Sequence, residues 1–270
     1  MKLLLIIFSF SAYASFLPKN TLIYPSKKTK KEFGKIKRYQ DLSEDIIALY
    51  DPLLFKLEAR LLLDLELNND RVNAYARRDE DDPKIWRVVL TGGLLRHPKI
   101  NDKILATIVC HEIGHHLAGH PIKKNSTWAS AEGQSDYFAT NDCLKRVLKT
   151  DLLMHRPNDR YAHKKCSQIY LDPNETLICH INAELSEMAI RFSQRMRRTR
   201  RPGRTLPVKL HKRDESVVSR IYWKHPKAQC RLDTMFEGAL CSKQSLVLKK
   251  NCIDSTKRFQ GSRPLCWYSF

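Results

Sequence analysis

The chain has 270 residues and 31.5 kDa, with 48 Lys+Arg against 29 Asp+Glu, a formal charge of +19 and a pI near 9.7. A hydrophobic share of 42% excludes a wholly disordered polymer, and the length supplies material for one large core or two small ones. So basic a chain is drawn to anionic surfaces such as nucleic acid, anionic lipid or acidic polymer, but charge alone names no chemistry.

The first residues, MKLLLIIFSFSAYAS, place one Lys before the apolar run Leu3 to Phe10, and Ala12-Tyr13-Ala14 forms a small-x-small site before Ser15. This is the layout of a secretory leader over 1–14, and its apolar run is too short to span a bilayer. No later stretch approaches the ~20 apolar residues of a membrane helix, so the mature chain is expected to lack an integral membrane segment. Residues 15–45 read as a basic surface arm. From Leu42 to Leu67 the chain is rich in Leu and Ile, with Pro52 opening a second helix. Asn73 to Ala76 and Ile85 to Leu90 have strand character, separated by an acidic turn. Asn101-Asp102 caps a helix whose apolar pattern runs from Ile104 to Leu117, and Gly119 and Pro121 stop it. Two more helices are expected, from about Ala129 to Leu148 and from Ile181 to about Arg197.

All eight Cys lie beyond the leader, which in an exported chain predicts structural disulfides. The connectivity is open, with one constraint. If 230–241 is a single helix, Cys230 and Cys241 stand about 16 Å apart at ~1.5 Å per residue and cannot pair.

The chemistry lies in His111-Glu112-Ile113-Gly114-His115, an H-E-x-x-H motif inside the capped helix. Composition predicts roughly 0.02 such matches by chance. The i, i+4 spacing sets both imidazoles on one face, close enough to share a zinc ion. Glu112 points beside that face, where it can act as general base on a zinc-activated water. A catalytic zinc takes a third protein ligand, for which His116, His120, Glu132 and Asp136 are candidates. The metzincin pattern fails, because Ala118 and Pro121 stand where Gly and His are required. Glu132 and Asp136 share a face of the next helix, so Glu132 can complete the ligands while Asp136 holds a ligand imidazole by its other nitrogen.

Four segments together resemble the metallopeptidase family that contains the HtpX heat-shock protease and the CAAX prenyl endoproteases, in a soluble exported branch. They are Val72-Asn73-Ala74-Tyr75-Ala76, then Val88 to Leu95 (VVLTGGLL), then His111 to His115 with Glu132 to Asp136, and finally His225-Pro226 followed by Arg231. Thermolysin-like gluzincins share the zinc motif but do not account for the NAYA or His-Pro segments. The resemblance implies that His111, His115 and Glu132 bind one catalytic Zn2+, and that Glu112 is the general base. It implies that His225 stabilises the oxyanion and that Arg231 anchors the site, with Asp136 as its carboxylate partner. It also implies an α+β, zincin-like fold, mostly helical, and covers roughly residues 72–235, leaving both ends unassigned. The disulfide-bonded domain is expected over 46–245, followed by a Cys-containing extension over 246–270. An edge strand, Trp86 to Leu90, would border the site and receive a protein or peptide substrate along its backbone.

The expected activity is that of an exported metalloendopeptidase of a bacterial periplasm or the extracellular space. A competing reading is a non-catalytic exported basic protein that binds an anionic polymer and keeps a relic zinc site. Residues 27–38 carry +6 and residues 191–204 carry +7, outside the zinc motif, so these two segments are candidates for docking on an anionic surface.

Overall fold

The structure is a computed structural model that describes residues 15–150, 152–198, 206–242, 252 and 260–269. The proposed leader, residues 199–204 of the second basic segment and most of the C-terminal extension lie outside the described residues.

Helix α1, Lys30–Ala48, is capped by Thr29, whose hydroxyl accepts from the Glu32 amide. Ile36, Tyr39, Leu42, Ser43, Ile46 and Ile47 recur every three or four residues and are buried. Residues 30–45, expected within a surface arm, are therefore part of the fold. Of the charges of 27–38, Lys27 and Lys28 precede this helix, Lys35 is half-buried with Nζ donating to the His97 carbonyl, and Lys37 and Arg38 pair with Asp41 and Asp102. Helix α2, Asp51–Lys56, opens with Pro52 in its first turn.

Strand β1, Arg60–Glu66, follows where the Leu-rich run gave no strand signal. Strands β2, Ala74–Arg78, and β3, Ile85–Thr91, make a hairpin in which Ala76 faces Val88. The sheet order is β1-β3-β2, and β1 pairs with β3 in parallel, Leu63 opposite Val88. The strand expected to be an edge is thus the centre of the sheet. Both sides of β3 are spent on ladders, so no peptide can add to it; the edges are β1 and β2.

Thr91 caps the short α3, Gly92–Arg96, and Asn101 caps α4, Asp102–Leu117, by accepting from the Ile104 amide. Every residue of α4 from Ile104 to His116 is buried, as a helix sheathed on all faces must be. Helix α5, Glu132–Phe138, continues through a π-helical turn, Ala139–Cys143, into α6, Leu144–Val147. Helix α7, Arg160–Ser167, was not signalled in the sequence. Helix α8, Pro173–Arg198, starts eight residues earlier than expected, and α9, Ala228–Leu240, closes the core against α5 and α8.

Four disulfides join Cys110 to Cys143, Cys166 to Cys179, Cys230 to Cys266 and Cys241 to Cys252. Cys230 lies in the first turn of α9 and Cys241 caps its end, and each bonds elsewhere, as helix geometry requires. The first bridge ties α4, one residue before His111, to the π turn after α5, and so fixes the two helices that carry the site. Among the described residues no helix is long and apolar enough to cross a membrane.

Candidate metal centre

The site forms where α4 and α5 meet. Gly114 makes the contact possible: a Cβ there would come within 3.1 Å of both the Cα and the carbonyl oxygen of Ser135. With only a hydrogen on Gly114, the α5 backbone closes on α4 and the Ser135 hydroxyl reaches 2.9 Å from His115 Nδ1. The segment between the helices folds back on itself. Ile122 bridges Ser130, Lys123 N–H donates to Ala129 O at 2.8 Å, and Ala131 N–H donates to Pro121 O at 2.7 Å.

His111, Glu112, His115 and Glu132 are fully or almost fully buried. His115 Nδ1–H donates to the Ser130 carbonyl at 2.8 Å, which leaves Nε2 as a bare lone pair. His111 Nδ1 lies 2.8 Å from Asp136 Oδ1, so its outward atom is also Nε2. His111 Nε2, His115 Nε2, Glu132 Oε2 and Glu112 Oε2 are all buried without a hydrogen-bond partner. Glu132 Oε2 stands 3.3 Å from His111 Nε2 and 3.7 Å from His115 Nε2. Tetrahedral zinc with bonds of about 2.0–2.1 Å sets its ligand atoms about 3.3–3.4 Å apart, so the spacing suits that ion. His111, Glu112 and His115 also satisfy the general spacing for holding a metal ion. Buried polar atoms without partners are costly, and four of them facing one point are the arrangement a cation resolves.

The surrounding charges fix this set. Arg231 of α9 grips Asp136 with two bonds of 2.7 Å, Nε to Oδ2 and Nη2 to Oδ1. Burial alone would raise the Asp136 carboxyl, but Arg231 and His111 outweigh it and hold it low. Glu132 behaves alike: burial pushes up, while His225, His115 and Lys123 pull its carboxyl well below the usual range. Lys123 Nζ donates to Glu132 Oε1 at 2.6 Å and leaves Oε2 facing the histidines. Burial pushes Glu112 up to about 8 and drives His115 well below its usual value. For His111 burial is the largest influence and works downward, but Asp136, Glu132 and Glu112 together outweigh it and raise it to about 9. His225 Nε2 is 3.2 Å from Glu132 Oε2, and burial lowers its pKa to about 4, so the ring is neutral at pH 7.

Seven residues singled out in the sequence therefore converge. Two weaker candidates do not. His116 stacks between Trp86 and Trp128, its Nε2–H donating to the Arg87 carbonyl at 3.1 Å, and His120 is exposed. Sequence reasoning missed Lys123, Ser130 and Ser135, whose roles arise from the way the 118–131 segment folds. It also missed Phe16, which reaches Glu112 across 96 residues of sequence.

Residues 38–147 match the family model of peptidase family M48. That match supports the M48 zinc metallopeptidase family and bears out the resemblance read from the motifs. The matched segment runs from α1 to α6 and contains His111, Glu112, His115, Glu132 and Asp136, but ends before His225 and Arg231. The structure sets both of these later residues against the M48 segment. Neither a curated protein nor a solved structure matches the chain.

Proposed function

We propose that this chain is an exported zinc-dependent endopeptidase that hydrolyses peptide bonds with Glu112 as general base. The observation that carries the reading is the convergence of three buried, unpartnered donor atoms, His111 Nε2, His115 Nε2 and Glu132 Oε2, beside the free Glu112 Oε2. His111, His115 and Glu132 would hold the ion. A zinc ion bound there supplies Lewis-acid charge to the oxygens brought against it.

The remaining work belongs to the protein. Glu112 takes a proton from the attacking water and returns it to the leaving amine, which a buried carboxyl with a raised pKa is suited to do. His225, neutral and protonated at Nε2, donates to the carbonyl oxygen as charge develops on it. Asp136 orients His111 and is itself immobilised by Arg231, so a substitution at Asp136 loosens the ligand set without touching substrate. Burial of the whole group keeps the charges strong and water sparse.

The test is a peptide-library digestion with and without chelator, alongside metal analysis. One zinc per chain and chelator-sensitive cleavage are expected. Glu112→Gln should retain the zinc and lose about 10²–10⁴ in rate, the range for a positioned general base. Undiminished cleavage by a metal-verified Glu112→Gln protein would refute the mechanism.

A further inference from the structure

The cleft is occupied by the protein's own chain. Ser15, Phe16 and Leu17 lie in it, with Phe16 and Leu17 buried. Three successive groups of this segment engage three parts of the site. The Ser15 carbonyl oxygen accepts from His225 Nε2–H at 2.5 Å. The Phe16 N–H donates to Glu112 Oε1 at 2.7 Å. The Phe16 carbonyl oxygen accepts from Arg231 Nη1 at 2.7 Å.

One peptide bond, Ser15–Phe16, thus presents its oxygen to the residue placed to stabilise an oxyanion. The same bond presents its nitrogen to the residue placed to protonate a leaving amine. The Phe16 ring is fully buried, its centroid 4.4 Å from the Arg231 guanidinium and 5.1 Å from the His111 ring, edge to face. Downstream the segment docks through main chain. Val72 N–H donates to Leu22 O at 3.1 Å and Tyr24 N–H donates to Asp70 O at 2.8 Å, with Ile23 bridging Arg71 antiparallel. This pairing on residues 70–72, just before β2, is β-augmentation by the protein's own chain. Alongside this segment a cleft of about 880 Å³ runs past Asn73, Lys123, Glu132, Lys224 and His225.

We propose that Ser15–Phe16 is held in the stance of a substrate peptide bond, so that the cavity seating Phe16 is the subsite for the residue following the cut. The substrates are then peptides with a large aromatic side chain at that position, and residues 15–24 compete with them for the cleft. In a substrate so bound, water adds its oxygen to the carbonyl carbon and the C–N bond breaks. The proton reaches the amine nitrogen through Glu112, already within hydrogen-bond reach of it. The proposal rests on the peptidase reading above for its chemistry, but not for its binding geometry.

The experiment separates the two. Peptides acetyl-Ala-Ser-Phe-Leu-amide and acetyl-Ala-Ser-Gly-Leu-amide are titrated into the full chain carrying Glu112→Gln, with and without Phe16→Ala. Vacating the cavity should let the phenylalanine peptide bind tenfold or more tightly than the glycine one, the order expected for burying one aromatic ring. With Phe16 in place its binding should weaken at least tenfold. Equal binding of the two peptides to the Phe16→Ala chain, or indifference of the phenylalanine peptide to Phe16, overturns the subsite. The library digestion by the unsubstituted zinc-loaded chain reads the same preference without any substitution near the cleft. Cuts should fall before Phe, Tyr or Trp, and cuts with no preference there overturn the proposal. Selective binding without any cleavage supports the subsite and overturns the peptidase reading instead.

Discussion

Two histidine–carboxylate clusters are built into this molecule, one between α4 and α5 and the other between residues 155–159 and α8, and they use their lone pairs in opposite ways. In the second, Glu184 spends both oxygens on the protein. Oε1 accepts from the backbone N–H groups of Asn158 and Asp159, each at 2.6 Å, and Oε2 accepts from His155 Nε2–H at 2.6 Å. His180, four residues before Glu184 on α8, lies 3.4 Å from it. This cluster pins a loop to a helix. In the first, Nδ1 of each histidine is turned to Asp136 or Ser130, Lys123 takes one oxygen of Glu132, and the inward atoms are left without partners. Both clusters join histidines to carboxylates, and in the second His180 Nε2 too is buried without a hydrogen-bond partner, whereas four such atoms converge in the first. What separates a candidate ligand set from a structural clamp is where the remaining lone pairs point.

The largest test of this contrast is metal content. His115→Ala removes one inward nitrogen and should abolish stoichiometric zinc, whereas His180→Ala should leave one zinc per chain. Plasma emission analysis after gel filtration reads both. Zinc retained by His115→Ala and lost by His180→Ala would exchange the roles of the clusters. A smaller effect should appear in stability. Glu184→Ala strands the Asn158 and Asp159 amides, partly buried, and should cost about 1–3 kcal/mol in denaturant unfolding with zinc content unchanged. An unaltered midpoint would show that Glu184 holds nothing.

The first cluster is legible in sequence because its information is local. Asn101 caps α4, the i, i+4 rule aligns His111 with His115, and the same spacing aligns Glu132 with Asp136. Arg231 and His225 are 89 residues and more from those motifs and are reached only through a family resemblance. β1 is illegible because Leu61, Leu62 and Leu63 show neither a period of two nor of 3.6. The central place of β3 depends on its parallel pairing with β1, a contact between distant segments that no local pattern encodes. Phe16 is hidden for the same reason. Its burial against Glu112 and Arg231 follows from the folded path of residues 15–24, not from their composition.

The finest test compares the clusters by their protons. In the metal-free protein Asp136, Glu132 and Glu112 together outweigh burial and raise His111 to about 9, while burial shifts His180 downward. His111 Nε2 must lose its proton before its lone pair can enter a metal bond, and His115, kept neutral by burial, brings none. Glu112, pushed up by burial to about 8, titrates in the same range, so the measurement belongs on Glu112→Gln, where that proton is absent. Below the His111 pKa, which loss of the Glu112 charge brings under about 9, each zinc that binds this variant should expel about one proton. Apparent affinity should then rise about tenfold, ~1.4 kcal/mol, for each pH unit gained, and level off above pH 9. Calorimetric titration at pH 7.5 in two buffers of unlike ionisation enthalpy counts the proton directly. Zinc binding that releases none, with affinity flat from pH 6.5 to 8.5, would mean that His111 Nε2 is not a ligand and that the convergence of lone pairs serves some other end.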